Sequence, residues 1–302
     1  MNKRILITGA TGMIGKKLIN ALQESGHTVS VLSRKLRDIP GVKVFLWDVY
    51  SGHIDADCMT GINTVIHLAG ENIAQQRWTA KRKQQIIDSR VLSTQLLYKT
   101  IKESNADVGT FISASAAGYY GDCGDEILTE ESPAGYGFMA QCCKQWEDAV
   151  DKGKYLGLRI VKFRTGVILA KGEGALASLE KPIKFFLGAP LGTGKQWIPW
   201  IHLDDIISMY KNAVESPLMA GAYNACAPFP VTNDTLTKAI ASKLTRPVWP
   251  FHVPEKVLKL VLGEMSEVVF ISSNTSAQKL LSADFKFKYT QLIDALSDIY
   301  GR

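Results

Sequence analysis

The sequence predicts an α/β fold: a doubly wound parallel sheet with a smaller, partly helical C-terminal region. Three observations carry that expectation. Short apolar runs alternate with amphipathic helical stretches through the first half of the chain, the pattern of a parallel sheet covered on both faces. A glycine-rich loop follows the first of those runs and opens the first helical stretch. Beyond Arg164 the spacing loosens, with Gly172, Gly174, Pro190, Gly192, Gly194 and Pro199 as punctuation, which marks a second region.

Taken in order, Arg4 to Thr8 reads as the first strand, and its Ile5-Leu6-Ile7 centre suits burial on both sides. The next stretch puts Ile14, Leu18, Ala21 and Leu22 on one helical face and stops at Gly26. Further strands are expected over Thr28 to Leu32, Val42 to Trp47, Thr64 to Leu68, Thr110 to Ser113 and Leu156 to Phe163. Long helices are expected around Ala80 to Glu103 and Met139 to Val150. The tail reads as small helices, with Leu292, Leu296 and Ile299 on one stripe after Thr290.

Composition narrows the function classes. With 302 residues, 46% of them hydrophobic and 21% charged, the chain can build one large α/β unit or two small domains, and disorder is excluded. The net charge of +6 comes from scattered Lys and Arg, with no dense basic stripe, so nucleic acid is not an expected partner. Five cysteines (Cys58, Cys123, Cys142, Cys143, Cys226) without CxxC spacing argue against a disulfide framework or structural zinc and fit a reducing cytoplasm. No apolar stretch approaches the roughly 20 residues of a membrane span, and the run after Met1-Asn2-Lys3-Arg4 is cut short by Thr8-Gly9, so neither a membrane nor a signal peptide is expected.

Gly9-Ala10-Thr11-Gly12-Met13-Ile14-Gly15 lies between the first strand and the first helix. Gly9 permits a tight turn, Gly12 lets backbone N–H groups approach a pyrophosphate, and Gly15 lets the helix pack on the strand. The positive end of the helix then faces the diphosphate. Gly9, Thr11, Gly12, Met13 and Ile14 are the expected contacts of a dinucleotide. At the end of the second strand, where an acid would meet the ribose of NAD, the chain has Leu32-Ser33-Arg34-Lys35. Ser33 and Arg34 are therefore expected at a 2′-phosphate, with a solvated basic turn as the alternative, and NADP(H) is favoured over NAD(H); one charge-assisted contact is worth about ten- to a hundredfold. Asp48, after the third strand, is expected either at the adenine amine or as a turn former.

These residues resemble an extended short-chain dehydrogenase/reductase of Rossmann type. The glycine loop resembles that family's TGxxGxxG, His67-Leu68-Ala69-Gly70 its HLAA segment, and Ser113 to Gly121 its SSxxVYG segment. Arg164-Thr165-Gly166-Val167 and Trp200 to Asp205 are similar to its R-x-x-N-v and FIHVDD segments. A narrower resemblance is to an atypical sugar-nucleotide epimerase subgroup, on Gly70-Glu71-Asn72, Arg77-Trp78, Ser89-Arg90, Trp146-Glu147, Gly192 to Trp197 and Asn224 to Pro228. The tail from about Pro247 resembles that subgroup's C-terminal domain of unassigned role. Residues 1–168 are thus expected to form the dinucleotide-binding domain, with 199–226 returning to it. Residues 169–302 are expected to form the substrate region, including the C-terminal domain. The resemblance implies that Leu68, Ala69 and Gly70 line the cofactor by backbone contact and that Ile168 lies near the nicotinamide. Arg90 stands where Asn is usual; it is expected either at a cofactor phosphate or substrate anion, or as a partner of Asp88.

The family moves its proton with Ser or Thr, Tyr and Lys, the last two as YxxxK. Tyr136 to Glu147 supplies that pair in no register, and Ala116 takes the usual hydroxyl position. Ser115 and Tyr119 are the expected substitutes; Ser113, Tyr120 and Tyr136 are further candidates. His67 and His202 read as core histidines without metal-ligand company, and no metal is expected. The leading expectation is an NADP-dependent oxidoreductase or epimerase of a small molecule such as a sugar nucleotide, with oligomeric state open. The alternative is a catalytically weak NADP(H)-binding regulatory protein.

Overall fold

The computed structural model describes residues 2–104 and 106–301. Its central sheet comprises β1 (Arg4–Thr8), β2 (Thr28–Ser33), β3 (Lys43–Asp48), β4 (His53–Ile54), β5 (Thr64–His67), β6 (Thr110–Ala116), β7 (Arg159–Thr165) and β8 (Gly221–Ala225). The spatial order is β8-β7-β6-β5-β1-β2-β3-β4, parallel throughout except for β3 with β4. The chain lays β2 and β3 on one side of β1 and β5 to β8 on the other, so the order reverses at β1. Open α/β sheets bind ligands at that reversal, outside the carboxyl ends of the strands.

Pleating sends Ile5 and Ile7 to one face and Leu6 to the other, and all three are fully buried. On the first face Ile5, Ile7, Val29 and Val31 pack with Leu18 and Leu22 of α1 (Met13–Glu24) and with Ile206 and Tyr210 of α5 (Leu203–Glu215). On the second, Leu6, Leu32 and Val65 pack with Leu96 and Leu97 of α2 (Ala80–Glu103) and with Trp146 and Val150 of α3 (Phe138–Asp151). Each such aliphatic side chain contributes about 1.5–3 kcal/mol by leaving water.

After β7, a short parallel ladder of Val167–Leu169 with Trp200–His202 leads into α5. The second region has its own core, built from Leu176 and Ile183 of α4 (Gly174–Lys184), Leu236 and Ile240 of α6 (Asn233–Leu244), and Leu292, Leu296 and Ile299 of α8 (Leu292–Tyr300). Between α6 and α8, α7 (Glu255–Leu262) and the short helix Glu267–Phe270 fold back onto the starts of α2 and α3. There Arg77 donates to the carbonyls of Leu260 and Val261, Lys83 pairs with Glu264, and Met265 and Ile271 pack with Trp78, Phe138 and Met139.

Two expected boundaries move by three residues, and the strand expected over Thr110 to Ser113 runs on to Ala116. Leu156 does not begin a strand: Lys152–Leu156 is a 3-10 turn closed by Gly157 at φ +76°, and β7 starts at Arg159. Among the described residues no helix is long and apolar enough to cross a membrane.

Candidate cofactor and substrate site

β1 hands the chain to Gly9 at φ +70°. A Cβ there would stand 2.7 Å from the Leu68 carbonyl carbon and 2.8 Å from the Ala69 nitrogen, so the turn is pressed against the end of β5. At Gly15 a Cβ would meet the Gly9 oxygen at 2.5 Å, which sets the close approach of α1 to the turn. At Gly12, the N-cap of α1, it would meet only that same oxygen, at 3.3 Å. The helix has no side-chain cap and no acid in its first turn. Its leading N–H groups thus present their partial positive charge to the open side, an arrangement that fits a diphosphate. Thr11 and Gly12 are exposed there, and Met13 and Ile14 are half-buried.

The end of β5 is fixed by a buried relay. Thr8 Oγ1 lies 2.7 Å from His67 Nδ1 and accepts from the N–H groups of Leu68 (3.2 Å) and Ala69 (3.1 Å). On the other side His67 Nε2 lies 3.0 Å from Ser93 Oγ, which itself donates to the Ser89 carbonyl at 2.7 Å. Since the Thr8 oxygen already accepts twice, its proton is assigned to Nδ1, and the ring is neutral with its proton on Nε2. Burial drives the ring pKa down to about 3. His67 is a core group that aims the Leu68 and Ala69 backbone at the cofactor turn.

At the end of β2, Ser33 Oγ accepts from the Lys35 N–H, while the Arg34 side chain is 79% exposed with its Nη1 3.5 Å from Glu71 Oε1. The second Glu71 oxygen accepts from buried Arg82 at 3.1 Å. Asp48 is exposed on the turn after β3, where the Tyr50 N–H, at 3.0 Å, holds its carboxyl below the usual range. Arg90 is not paired with Asp88, which accepts from Gln84 instead. The Arg90 guanidinium donates to the carbonyls of Ile86 and Glu71, lies 5.1 Å over the Trp146 ring and abuts Gly70. Ile168 sits half-buried in the short ladder opposite Ile201.

The face of α3 turned to the loop after β6 carries Met139 and Cys143, one helical turn apart. A Cβ at Gly118 would lie 3.3 Å from Met139 and 4.0 Å from the Cys143 sulfur. Neither can donate like a phenol or an ammonium, and burial pushes the Cys143 thiol up to about 12. Tyr136 precedes the helix and is 96% exposed, and Lys144 is paired with Asp148 on the outer face.

Ser115 is turned inward. It is buried and donates to Glu147 at 2.7 Å, and Glu147 also receives Arg164 (2.9 and 3.0 Å) and Lys162 (3.1 Å). Burial alone would raise the Glu147 carboxyl, but the Arg164 hydrogen bonds and the two cations outweigh it and hold the group below its usual range. In this arrangement Ser115 serves an internal ion cluster and is not offered to a cleft. Ser113 is likewise buried and donates to the Ala114 carbonyl. The Tyr120 hydroxyl accepts from Arg164 and lies 2.6 Å from Asn224 Oδ1, a structural role. Tyr119 alone of these groups stays half-buried without a hydrogen bond to its hydroxyl among the described residues. Its ring rests 3.6 Å from the Arg164 guanidinium carbon, beside Phe138, Met139 and Met265.

His202 does have acidic company, contrary to expectation: its ligand atoms gather with those of Asp204 and Asp298. Its Nδ1 is occupied by the Asp204 N–H at 3.1 Å, and the Asp204 carboxylate is paired with Lys17 and Lys288. Asp298 Oδ2 lies 3.5 Å from His202 Nε2 on the other side of the ring. Sequence reasoning assigned no role to Glu71, Arg82, Glu147 or Glu267. Glu71 and Glu147 stood inside the quoted GEN and WE segments, but spacing gives no partner for an acid whose cation arrives from another strand or helix.

Fold and turn together define a dinucleotide-binding α/β protein. The model of the NAD dependent epimerase/dehydratase family matches residues 5–226, and the chain belongs to that family as an atypical extended short-chain dehydrogenase/reductase. Residues 253–299 match a domain of unknown function. An epimerase family protein of Mycobacterium leprae is 36% identical over 294 residues, covering 97% of this chain and 94% of the relative. A chloroplastic relative in Arabidopsis thaliana is 33% identical, covering 98% of this chain and 86% of its own length. Among solved structures, human epimerase family protein SDR39U1 with NADPH superposes with a TM-score of 0.85 at 27% identity, covering 99% of both chains. A nucleoside-diphosphate sugar epimerase from Corynebacterium glutamicum gives 0.81 at 34% identity, covering all of this chain and 59% of that one.

Proposed function

We propose that the protein is an NADP(H)-dependent oxidoreductase or epimerase acting on a sugar nucleotide. One arrangement carries the reading: an uncapped helix N-terminus at the sheet's reversal point, with the Arg34 guanidinium at the end of the neighbouring strand. The NADPH in the human relative and the sugar-nucleotide name of the bacterial one support it. When bound, the nicotinamide supplies or accepts hydride. Around it the chain's own groups divide the work. The first turn of α1 holds the diphosphate, Arg34 the 2′-phosphate, and Leu68 and Ala69 offer backbone groups to the nicotinamide half. Tyr119 is the hydroxyl left to move the proton, with Arg164 beneath its ring. Five free thiols suit a reducing cytoplasm.

Calorimetry tests the cofactor half: NADPH should bind more tightly than NADH, and Arg34→Ala should erase the difference. Equal uptake of both dinucleotides by wild type, undisturbed by Arg34→Ala, sinks it. Tritium exchange on a sugar-nucleotide panel tests the chemistry. Met139 and Cys143 in place of a Tyr and Lys pair favour a second reading, an NADP(H)-binding regulator with little turnover. NADPH binding without exchange on any substrate, together with a specific protein partner, selects it.

A further inference from the structure

Glu71 is the acid paired with Arg34, the residue expected at the 2′-phosphate, and it is held there. Its Oε2 accepts from Arg82 Nη1 at 3.1 Å, and Arg82 is itself buried, with Nη2 donating to the Asn72 carbonyl at 2.7 Å. The other oxygen meets a second arginine: Oε1 lies 3.5 Å from Nη1 of Arg34, a side chain that is 79% exposed. The two pairs are unequal. The inner one is desolvated and reinforced by a backbone carbonyl. The outer one is long and wet, and such surface pairs are worth little and open readily.

Topology gives the outer pair its meaning. Arg34 follows β2 and Glu71 follows β5, and these are the two strands that flank β1. The pair therefore joins the loops on either side of the glycine turn, across the groove in which the adenosine half of a dinucleotide is expected. A 2′-phosphate arriving at Arg34 meets a carboxylate already using that guanidinium. A plain ribose 2′-hydroxyl does not need the cation and can donate to the acid.

Building on the cofactor reading above, we infer that Glu71 is a specificity-determining residue: a resident carboxylate, anchored on Arg82, that competes with the 2′-phosphate for Arg34 and narrows the preference for NADP(H) over NAD(H). The competition is electrostatic, so it weakens with added salt.

The test is calorimetric titration of wild type, Glu71→Gln, Arg34→Ala and the double variant with NADPH, NADH, adenosine 2′,5′-bisphosphate and 5′-AMP. Gln keeps an oxygen for Arg82 and removes the charge. Glu71→Gln should tighten NADPH and the bisphosphate on the order of tenfold, the scale of one like charge about 5 Å from a phosphate in water, and leave NADH and 5′-AMP unimproved. The gain should vanish in the Arg34→Ala background. An unchanged NADPH to NADH ratio, a weaker NADPH, or a gain that survives loss of Arg34 overturns the inference while leaving the cofactor reading intact. Folded wild type that binds neither dinucleotide removes that reading and this inference with it. Should Glu71→Gln fail to fold, Glu71→Ala, which also removes the charge, must shift the ratio in the same direction, and no shift overturns the proposal.

Discussion

Glu267 accepts a hydrogen bond at 3.0 Å from the N–H of Met139, 128 residues earlier in the chain, so a carboxylate from the C-terminal region caps α3. The helix has given up a cap of its own. Its N-cap is Gly137 at φ +93°, and a Cβ there would lie 2.6 Å from the Glu267 oxygen. Gly137 admits the foreign carboxylate, and the carboxylate meets the positive end of α3. The arrangement fixes the start of the helix that carries Met139 and Cys143, and it gives the C-terminal region a mechanical hold on the site.

Loss of this cap should loosen α3 locally. Glu267→Ala is expected to cost about 1 kcal/mol, the usual worth of an N-cap, and to speed hydrogen exchange at the amides of Met139 and Ala140 while α1 is unaffected. Gly137→Ala should cost more, because it adds a left-handed backbone penalty to a steric one. Unchanged exchange at Met139 in Glu267→Ala would show that the bond does no structural work.

The three glycines of the first turn should separate folding from binding. A Cβ at Gly15 runs into backbone at 2.5 to 2.8 Å, so Gly15→Ala is expected to lower the melting temperature and abolish cofactor uptake together. A Cβ at Gly12 meets a single oxygen at 3.3 Å. Gly12→Ala should therefore melt like wild type and, on the proposed placement of the diphosphate at the first turn of α1, still lose NADPH affinity. Thermal melts and titrations on the same preparations check both. A Gly12→Ala protein that binds NADPH normally would place the diphosphate elsewhere.

Why these features differ in how far the sequence foretold them is a matter of range. The first strand, the glycine turn and the first helix follow one another within 24 residues, and their signals are local: a β-type apolar run, positive φ at Gly9, and an apolar face on α1. The ion cluster is different. Ser115, Glu147, Lys162 and Arg164 come from β6, α3 and β7, and they meet only because β6 lies beside β7 with Ser115 opposite Arg164. The resemblance to an SSxxVYG segment puts Ser115 near a Tyr and offers it as a catalytic hydroxyl; the acid that claims it arrives from 32 residues on. Arg90 and Glu267 were opaque for the same reason, since their partners are fixed by packing of distant elements.

Acid should weaken the fold through His67. Its folded pKa of about 3 lies below the unfolded value of 6.5. The unfolded chain therefore binds more protons between those values, and stability is full above about pH 6.5 and falls as pH drops below it, by at most about 1.4 kcal/mol per pH unit for this one group. Glu147 acts in the same direction at lower pH. Its folded pKa is depressed, so its contribution is present above its unfolded value of 4.5 and is lost as pH falls through the folded one. Urea unfolding across pH 8 to 5 should show the slope beginning near 6.5. NMR of the His67 ring in folded protein should show no titration in that range; a ring that titrates near 6.5 removes the explanation.

Ser115 and Tyr119 can now be told apart by which property each variant loses. Glu147→Ala leaves the buried Arg164 guanidinium without its carboxylate, while buried Lys162 keeps Asp151 at 2.9 Å, and is expected to cost about 3–5 kcal/mol, the range for breaking a buried ion pair from one side. Ser115→Ala removes one donor from the same cluster. It should cost about 1–3 kcal/mol and leave both kcat and KM close to wild type, since the hydroxyl is directed at Glu147 and not at a cleft. Tyr119→Phe should do the reverse: its hydroxyl has no protein partner among the described residues, so the melting temperature should hold. If Tyr119 moves the proton, turnover in the exchange assay falls by about 10²- to 10⁴-fold, with NADPH affinity unchanged. Because the Arg164 guanidinium lies under the ring, Arg164→Lys should lower kcat as well as stability, while Tyr119→Phe lowers kcat alone. A Ser115→Ala enzyme that folds, binds NADPH and fails to turn over, beside a fully active Tyr119→Phe, would reverse the assignment.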